Sequence, residues 1–291
     1  MRKIFYYFIL GSRVKTWPVS LIPVAMSSAL ALSHGFFDKI IFYFSSFSIL
    51  FIQISVNLFN DAFDGKKGLD DSSRKGPFRL VGSGYLTFSQ VRLMAFISCF
   101  IAFLFGIPLI IKGGALILLI GLICLALTYF YTGSKYSILE LGLSEIAVIL
   151  FFGFFIVFGV YYLQTSRMNF SLIYLSLQCG LWALSALLIN HLRDEKEDKK
   201  RARKHVVSVY GRIPALFLFV VCQAFIYLLC FYWMGMGLKS GAFSFLTLPF
   251  SLIMIYLVCN NLPSKKYNFY LAFCSFCYIL FGFSWIAGLI F

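Results

Sequence analysis

Charge is what this sequence has least of. Asp, Glu, Lys and Arg make up 12% of its 291 residues while 61% are hydrophobic, a balance far more apolar than a soluble domain needs to fill one core. Histidine is nearly absent, with three residues, and no organised imidazole or thiol set offers itself to zinc. The eight cysteines (Cys99, Cys124, Cys179, Cys222, Cys230, Cys259, Cys274 and Cys277) all fall inside apolar runs, where a thiol behaves as a small hydrophobe, so no disulfide framework is implied. Cys274 and Cys277 form a CxxC pair within such a run, but no second pair or nearby histidine completes a metal site. The start does not read as a leader peptide. Arg2 and Lys3 precede Ile4 to Leu10, yet Arg13 and Lys15 intervene before any small-residue cleavage site, so the start is expected to be retained.

What is present is apolar length. Runs near the spanning length of about 20 residues recur from end to end, giving nine expected spans at 16–34, 38–60, 90–111, 113–131, 142–163, 171–192, 213–235, 242–262 and 269–291. The expected fold class is therefore all-α: one polytopic transmembrane helical domain over residues 1–291, with the lipid bilayer as its solvent. The net charge of +14 lies beside these spans, where it acts as a topology signal, so no nucleic-acid partner is expected. On the nine-span scheme all Lys and Arg except Lys39, Lys112, Arg167 and Lys239 fall on one face, which puts the N-terminus and both long charged connections, 61–89 and 193–212, in the cytoplasm.

Those connections hold most of the acid. The first carries Asn57, Asn60, Asp61 and Asp64, which at about 100° per residue share one face of a continuing helix, followed by Asp70 and Asp71. The second carries Asn190, Asp194 and Asp198, again on one face, with Glu195 and Glu197 beside them. A lone acidic cluster at a membrane border is ordinarily a solvated helix end. Two clusters sharing Asn-x-x-x-Asp on one side are different, because carboxylates at the mouth of a bundle repel unless a cation or bound ligand compensates them.

Oxygen-only ligands point to Mg²⁺ rather than Zn²⁺. Mg²⁺ is normally held by few carboxylates together with phosphate oxygens, so a phosphate-bearing substrate follows, and Lys67, Arg74, Arg79, Arg203 and Lys204 supply cations to grip it. The positive-inside rule accounts for several of these. In a hydrocarbon-lined site such a substrate is a lipid diphosphate. Tyr129, Tyr131, Tyr161 and Tyr162 lie near span ends, where their rings either face a developing allylic cation or form an interfacial belt. His205, alone in a basic loop, is read as solvated and without a role. A transporter is the reading from a different class, but the acids sit at span ends rather than in broken helices at the bilayer midplane.

The residues also resemble the UbiA superfamily of intramembrane prenyltransferases. Asn60-Asp61-Ala-Phe-Asp64 resembles its first motif and Asp194-x-x-x-Asp198 its second. The run NLFNDAFDGKKGLDDSSRKGPFRLVGSG, Tyr131-Thr-Gly133, the stretch from Leu141 to Thr165 and Asn190-His-Leu-Arg193-Asp194 are similar to the branch acting on 1,4-dihydroxy-2-naphthoate in menaquinone synthesis. The resemblance implies a nine-helix bundle with Mg²⁺ bridging two metal sites, Asn57, Asn60, Asp61, Asp64 and Asp70 forming one and Asn190, Asp194 and Asp198 the other. It implies transfer of a polyprenyl group to the naphthoate with loss of CO₂, giving demethylmenaquinone. Other acceptors within the superfamily are 4-hydroxybenzoate, homogentisate, haem and glycerol phosphate lipids. The sequence departs from the branch after Asp198, where Ala202, Arg203, Lys204 and His205 replace a glycine, basic residues and a threonine.

Overall fold

The computed structural model describes residues 2–68, 76, 78–134, 136–200 and 203–291. Fourteen α-helices follow one another among them: α1 (Arg2–Ser12), α2 (Trp17–Ser33), α3 (Lys39–Lys66), α4 (Phe88–Phe130), α5 (Ile138–Leu141), α6 (Ser144–Val148), α7 (Ile156–Thr165), α8 (Ser171–Arg193), α9 (Glu195–Lys200), α10 (Val206–Tyr210), α11 (Arg212–Gly235), α12 (Lys239–Phe245), α13 (Leu248–Asn260) and α14 (Tyr267–Ile290). A π-helical segment, Ile149–Phe155, joins α6 to α7. No strand occurs among the described residues.

Local chemistry starts and ends these helices where the sequence supplies it. Asp38 caps α3 by accepting from the N–H groups of Ile40 and Ile41 at 2.9 and 3.3 Å, and Thr87 caps α4 in a reciprocal pair with Gln90, satisfying donors that a helix start leaves orphaned. Seven helices or helix runs are long and apolar enough to cross a membrane, or eight when α12 and α13, bent by 45°, are counted as one crossing. α4 runs for 43 residues but departs from helical geometry at Gly114, where φ is 64°; the boundary expected between residues 111 and 113 falls beside this break. Nine crossings are reached only by counting α4 as two and the α12–α13 pair as one. Along α4, Leu93, Phe96, Phe100, Leu104 and Ile111 stand exposed, as lipid-facing side chains do when the solvent is hydrocarbon. The chain is a multi-pass membrane protein.

In a bilayer, small residues and buried polar groups hold helices together. Gly153 of the π segment lies against the Ser176 carbonyl and Gly180 of α8; a Cβ there would meet that carbonyl oxygen at 2.4 Å, so only glycine permits the approach. Gln178 and Gln223 tie α8 to α11: Gln178 donates to the Ile226 carbonyl at 3.1 Å and accepts from the Trp233 indole at 2.8 Å, while Gln223 donates to Ser185 at 2.8 Å. Around them Trp182, Trp233, Trp285, Tyr278 and Phe281 fill the largest buried cluster. On the other side Ser48 and Ser55 of α3 donate to the carbonyls of Ala102 and Ala95 on α4, each at 2.9 Å. Residues of α3 and α8, the two motif-bearing helices, line one cavity.

Candidate active site

That cavity encloses about 900 Å³ including its open mouth. Its walls bring together Asn57 and Asn60 from α3, Asn190 from α8, Tyr131 from the end of α4, and Phe151 and Phe152 from the π segment. Asn60 accepts a short hydrogen bond from the Thr132 hydroxyl. Asn190 donates to the Ala186 carbonyl at 3.3 Å. Asn57 is turned away from both motifs and donates to the Ser12 carbonyl at 2.9 Å and to Thr16 at 3.3 Å. Burial, and secondly the nearby Glu145 charge, push the Tyr131 phenol above its ordinary range, so it stays a neutral ring at the cavity wall.

The carboxylates of the two segments divide in their partners. Asp64 and Asp198, both nearly fully buried, converge on one guanidinium: Arg203 donates to Asp64 at 2.5 Å and to Asp198 at 3.3 Å. Arg79 adds a second donation to Asp64 at 2.9 Å. Burial works against the Arg203 charge, but Asp64 and Asp198 outweigh it and hold the guanidinium above its ordinary pKa. Asp61 faces elsewhere, accepting from the backbone N–H groups of Leu80 and Val81 at 2.9 and 3.1 Å. Asp194 takes a two-pronged pair from Arg193 at 2.8 and 2.6 Å, and Arg193 is itself fixed by Asn268 at 2.9 Å. Of the expected carboxylate ligands, the fold thus brings Asp64 and Asp198 to a shared cation and gives Asp61 and Asp194 other partners.

His205 corrects the sequence reading. It is buried, not solvated, at 4% exposure. Its Nδ1 accepts from the Ser208 N–H at 3.2 Å, so Nε2 carries the proton and donates to Asp198 at 3.2 Å. The ring stacks on His191 at 3.9 Å, and His191 Nδ1 lies 3.5 Å from Glu145, which also accepts from the Val206 N–H at 3.0 Å. Glu145 and His191 received no role in the sequence reading, His191 standing between Asn190 and Arg193 and Glu145 opening an apolar run after Ser144. Their ligand atoms and those of His205 lie within 4.8 Å of one another, but two rings tilted by only 18° do not point their lone pairs at a common ion. Asp64 and Asp198, hard oxygen donors already facing one another across a positive group, fit Mg²⁺ instead.

The remaining expected residues scatter. Tyr129 packs edge-on against Phe59 and Phe63 and is not part of the cavity wall. Lys67 pairs with Glu140 at 2.9 Å on the surface, where such a pair contributes little, and Lys204 is exposed. Asp70 and Arg74 lie outside the described residues.

Known proteins share this chain's sequence pattern and its fold. The model of the UbiA prenyltransferase family matches residues 20–277. The 1,4-dihydroxy-2-naphthoate octaprenyltransferase of Bacillus subtilis is 30% identical over 217 residues, 75% of this chain and 70% of the relative; the Escherichia coli protein of the same name is 32% identical over 211 residues, 70% and 68%. A UbiA homologue from Archaeoglobus fulgidus bound to DMAPP and Mg²⁺ superposes with a TM-score of 0.66 at 15% identity, covering 96% of this chain and 99% of that one. A second homologue, from Aeropyrum pernix, gives 0.70 at 16% identity over 94% and 96%. With the family model matching residues 20–277, nearly the whole chain, the chain belongs to the UbiA prenyltransferase family.

Proposed function

We propose that this enzyme transfers a polyprenyl group from its diphosphate to 1,4-dihydroxy-2-naphthoate with loss of CO₂, with the motif-bearing mouth on the cytoplasmic side. The observation that carries the reading is the shared contact of Asp64 and Asp198 with Arg203, which joins the two acidic segments. Asp64 and Asp198 would hold Mg²⁺, which supplies charge neutralisation to the leaving diphosphate. Arg79 and Arg203 stand at these carboxylates and present planar donors suited to phosphate oxygens.

The substrate's C–O bond breaks and the diphosphate takes its electron pair, leaving an allylic cation. Tyr131, Phe151 and Phe152 line the space beneath, where ring faces stabilise such a cation and exclude water from it. A C–C bond forms at the acceptor carbon that bears the carboxylate, and the C–CO₂ bond then breaks, restoring the aromatic ring and yielding the quinol form of a demethylmenaquinone. Phe151 also borders a second, predominantly apolar cavity of about 800 Å³ including its open side, between α3, α4 and α7, which offers room for the prenyl tail. The similarity to naphthoate prenyltransferases supports this acceptor.

The test is to supply purified protein in nanodiscs with octaprenyl diphosphate, Mg²⁺ and each acceptor in turn. Stoichiometric diphosphate and CO₂ with the naphthoate are expected. Turnover with 4-hydroxybenzoate or homogentisate but not the naphthoate would reject this acceptor; no diphosphate release with any acceptor would reject the reaction.

A further inference from the structure

α5 and α6 carry neither acidic motif, yet they touch the chain around the second one at three points. The Glu145 carboxylate of α6 accepts from the Val206 N–H at 3.0 Å through one oxygen and from the Ser144 hydroxyl at 2.8 Å through the other. The first oxygen also lies 3.5 Å from His191 Nδ1 on α8. Between α5 and α6, Gly142 at φ 76° lets the chain close on Lys204; a Cβ there would meet the Lys204 Cβ at 3.2 Å and its carbonyl oxygen at 3.3 Å. The Glu145 side chain is only 12% exposed, and a carboxylate so placed costs stability unless its partners compensate it. No step of the proposed reaction uses it.

These contacts converge on His205. Its Nδ1 accepts from the Ser208 N–H, its ring lies on His191 at 3.9 Å, and its main chain leads directly into the Val206 N–H that Glu145 holds. Both histidines are buried. A ring fixed in its plane, at one nitrogen and at its backbone leaves one direction for Nε2, and Asp198 lies there at 3.2 Å. The side chains of Glu145, His191, His205 and Asp198 thus follow one another across α6, α8, the start of α10 and α9. Neighbours of this kind orient metal-binding groups, because a partner already immobilised loses no rotamer freedom when its bond forms.

We propose that Glu145 and His191 are positioning residues for Asp198, fixing the orientation of its carboxylate through the His205 ring and the 204–206 main chain before Mg²⁺ arrives. This rests on the reading of Asp198 as a Mg²⁺ ligand and extends the site to α6, a part of the chain outside both acidic segments.

The test is calorimetric titration of Mg²⁺ into full-length protein in nanodiscs with a prenyl thiodiphosphate present, alongside the melting temperature of each variant. Glu145→Ala and His191→Ala are each expected to raise the half-saturating Mg²⁺ concentration about 10-fold, the lower end of what lost outer support of a metal ligand costs. Glu145→Gln keeps an oxygen that can accept from the Val206 N–H, and His191→Phe keeps a ring face for His205, so both should recover most of that shift. Glu145→Met and His191→Leu keep side-chain volume but lose the acceptor and the ring; they should reproduce the alanine shifts and serve in place of an alanine variant that does not fold. In a His205→Ala background neither Glu145→Ala nor His191→Ala should raise the Mg²⁺ requirement further, since both act through that ring. A wild-type Mg²⁺ requirement in folded Glu145 and His191 variants, with only the melting temperature lowered, overturns the proposal, as do shifts that add to that of His205→Ala. Asp198→Asn separates the two levels. If it abolishes Mg²⁺-dependent binding while the Glu145 and His191 variants match wild type, the positioning role alone falls; if it leaves the Mg²⁺ requirement unchanged, the metal reading falls and the positioning role with it.

Discussion

The two acidic segments are built from the same pattern but anchored differently. On α3 the helix runs unbroken from Asn57 through Asp64, and its first aspartate, Asp61, is bound to main-chain N–H groups of Leu80 and Val81. On the second segment α8 ends at Arg193, Asp194 caps it, and Asp198 sits on the short α9; here the first aspartate is bound to a side chain, Arg193. In both, the second aspartate is held by side chains that include the shared Arg203: Arg79 and Arg203 on Asp64, Arg203 and His205 on Asp198. We propose that in each pair the first carboxylate fixes architecture and the second exchanges its partners for the metal and the diphosphate. Like-charged groups this close tolerate burial only while a cation compensates them, and an arginine does so until substrate arrives.

The sharpest way to break this division is to neutralise its poised members. Asp64→Asn and Asp198→Asn each remove a charge placed to act on the diphosphate, and kcat is expected to fall about 10²- to 10³-fold with little change in melting temperature. Loss of fold in place of loss of turnover would reverse the assignment. His205→Ala leaves Asp198 without its neutral donor; a supporting hydrogen bond of this kind typically changes metal affinity by about 10- to 100-fold, read as a higher Mg²⁺ concentration for half-maximal rate. His205→Gln, which can still donate, should recover part of that shift, and a Mg²⁺ dependence identical in His205→Ala and wild type would deny His205 its role. Asp61→Asn should show the opposite profile. It weakens two charge-assisted bonds to the 80–81 main chain and is expected to lower stability by about 1–3 kcal/mol, with the folded fraction keeping most of its kcat.

Much of this was legible in the sequence because the bilayer makes hydropathy a strong signal. Expected spans at 171–192 and 213–235 coincide with α8 and α11 to within a residue, and the shared face of Asn57, Asn60, Asp61 and Asp64 follows from helix periodicity alone. What escaped depends on contacts distant in sequence. The partners of Asp61 are backbone N–H groups 19 and 20 residues away, and a backbone N–H carries no residue signature. His205 looked solvated because its neighbours in sequence are basic, yet α10 folds back so that its ring meets His191 of α8 and its amide neighbour Val206 meets Glu145 of α6. Arg13 was readable only as a topology charge, since its left-handed backbone angle and its place in the cavity wall have no signature in the neighbouring residues. Tyr129 had the position of a cavity residue but packs into the aromatic cluster of Phe59 and Phe63, a choice that hydropathy does not encode.

The central claim is that Asp64 and Asp198 belong to one site. The direct measurement is calorimetric binding of a non-hydrolysable prenyl thiodiphosphate, with and without Mg²⁺, to wild type, Asp64→Asn, Asp198→Asn and the double variant in nanodiscs. Side chains that act together give strongly non-additive losses: each single variant should lose nearly all of the Mg²⁺-dependent affinity, and the double variant little more. Losses that add, each single variant keeping its own share of the Mg²⁺-dependent affinity, would mean two independent sites and contradict the account.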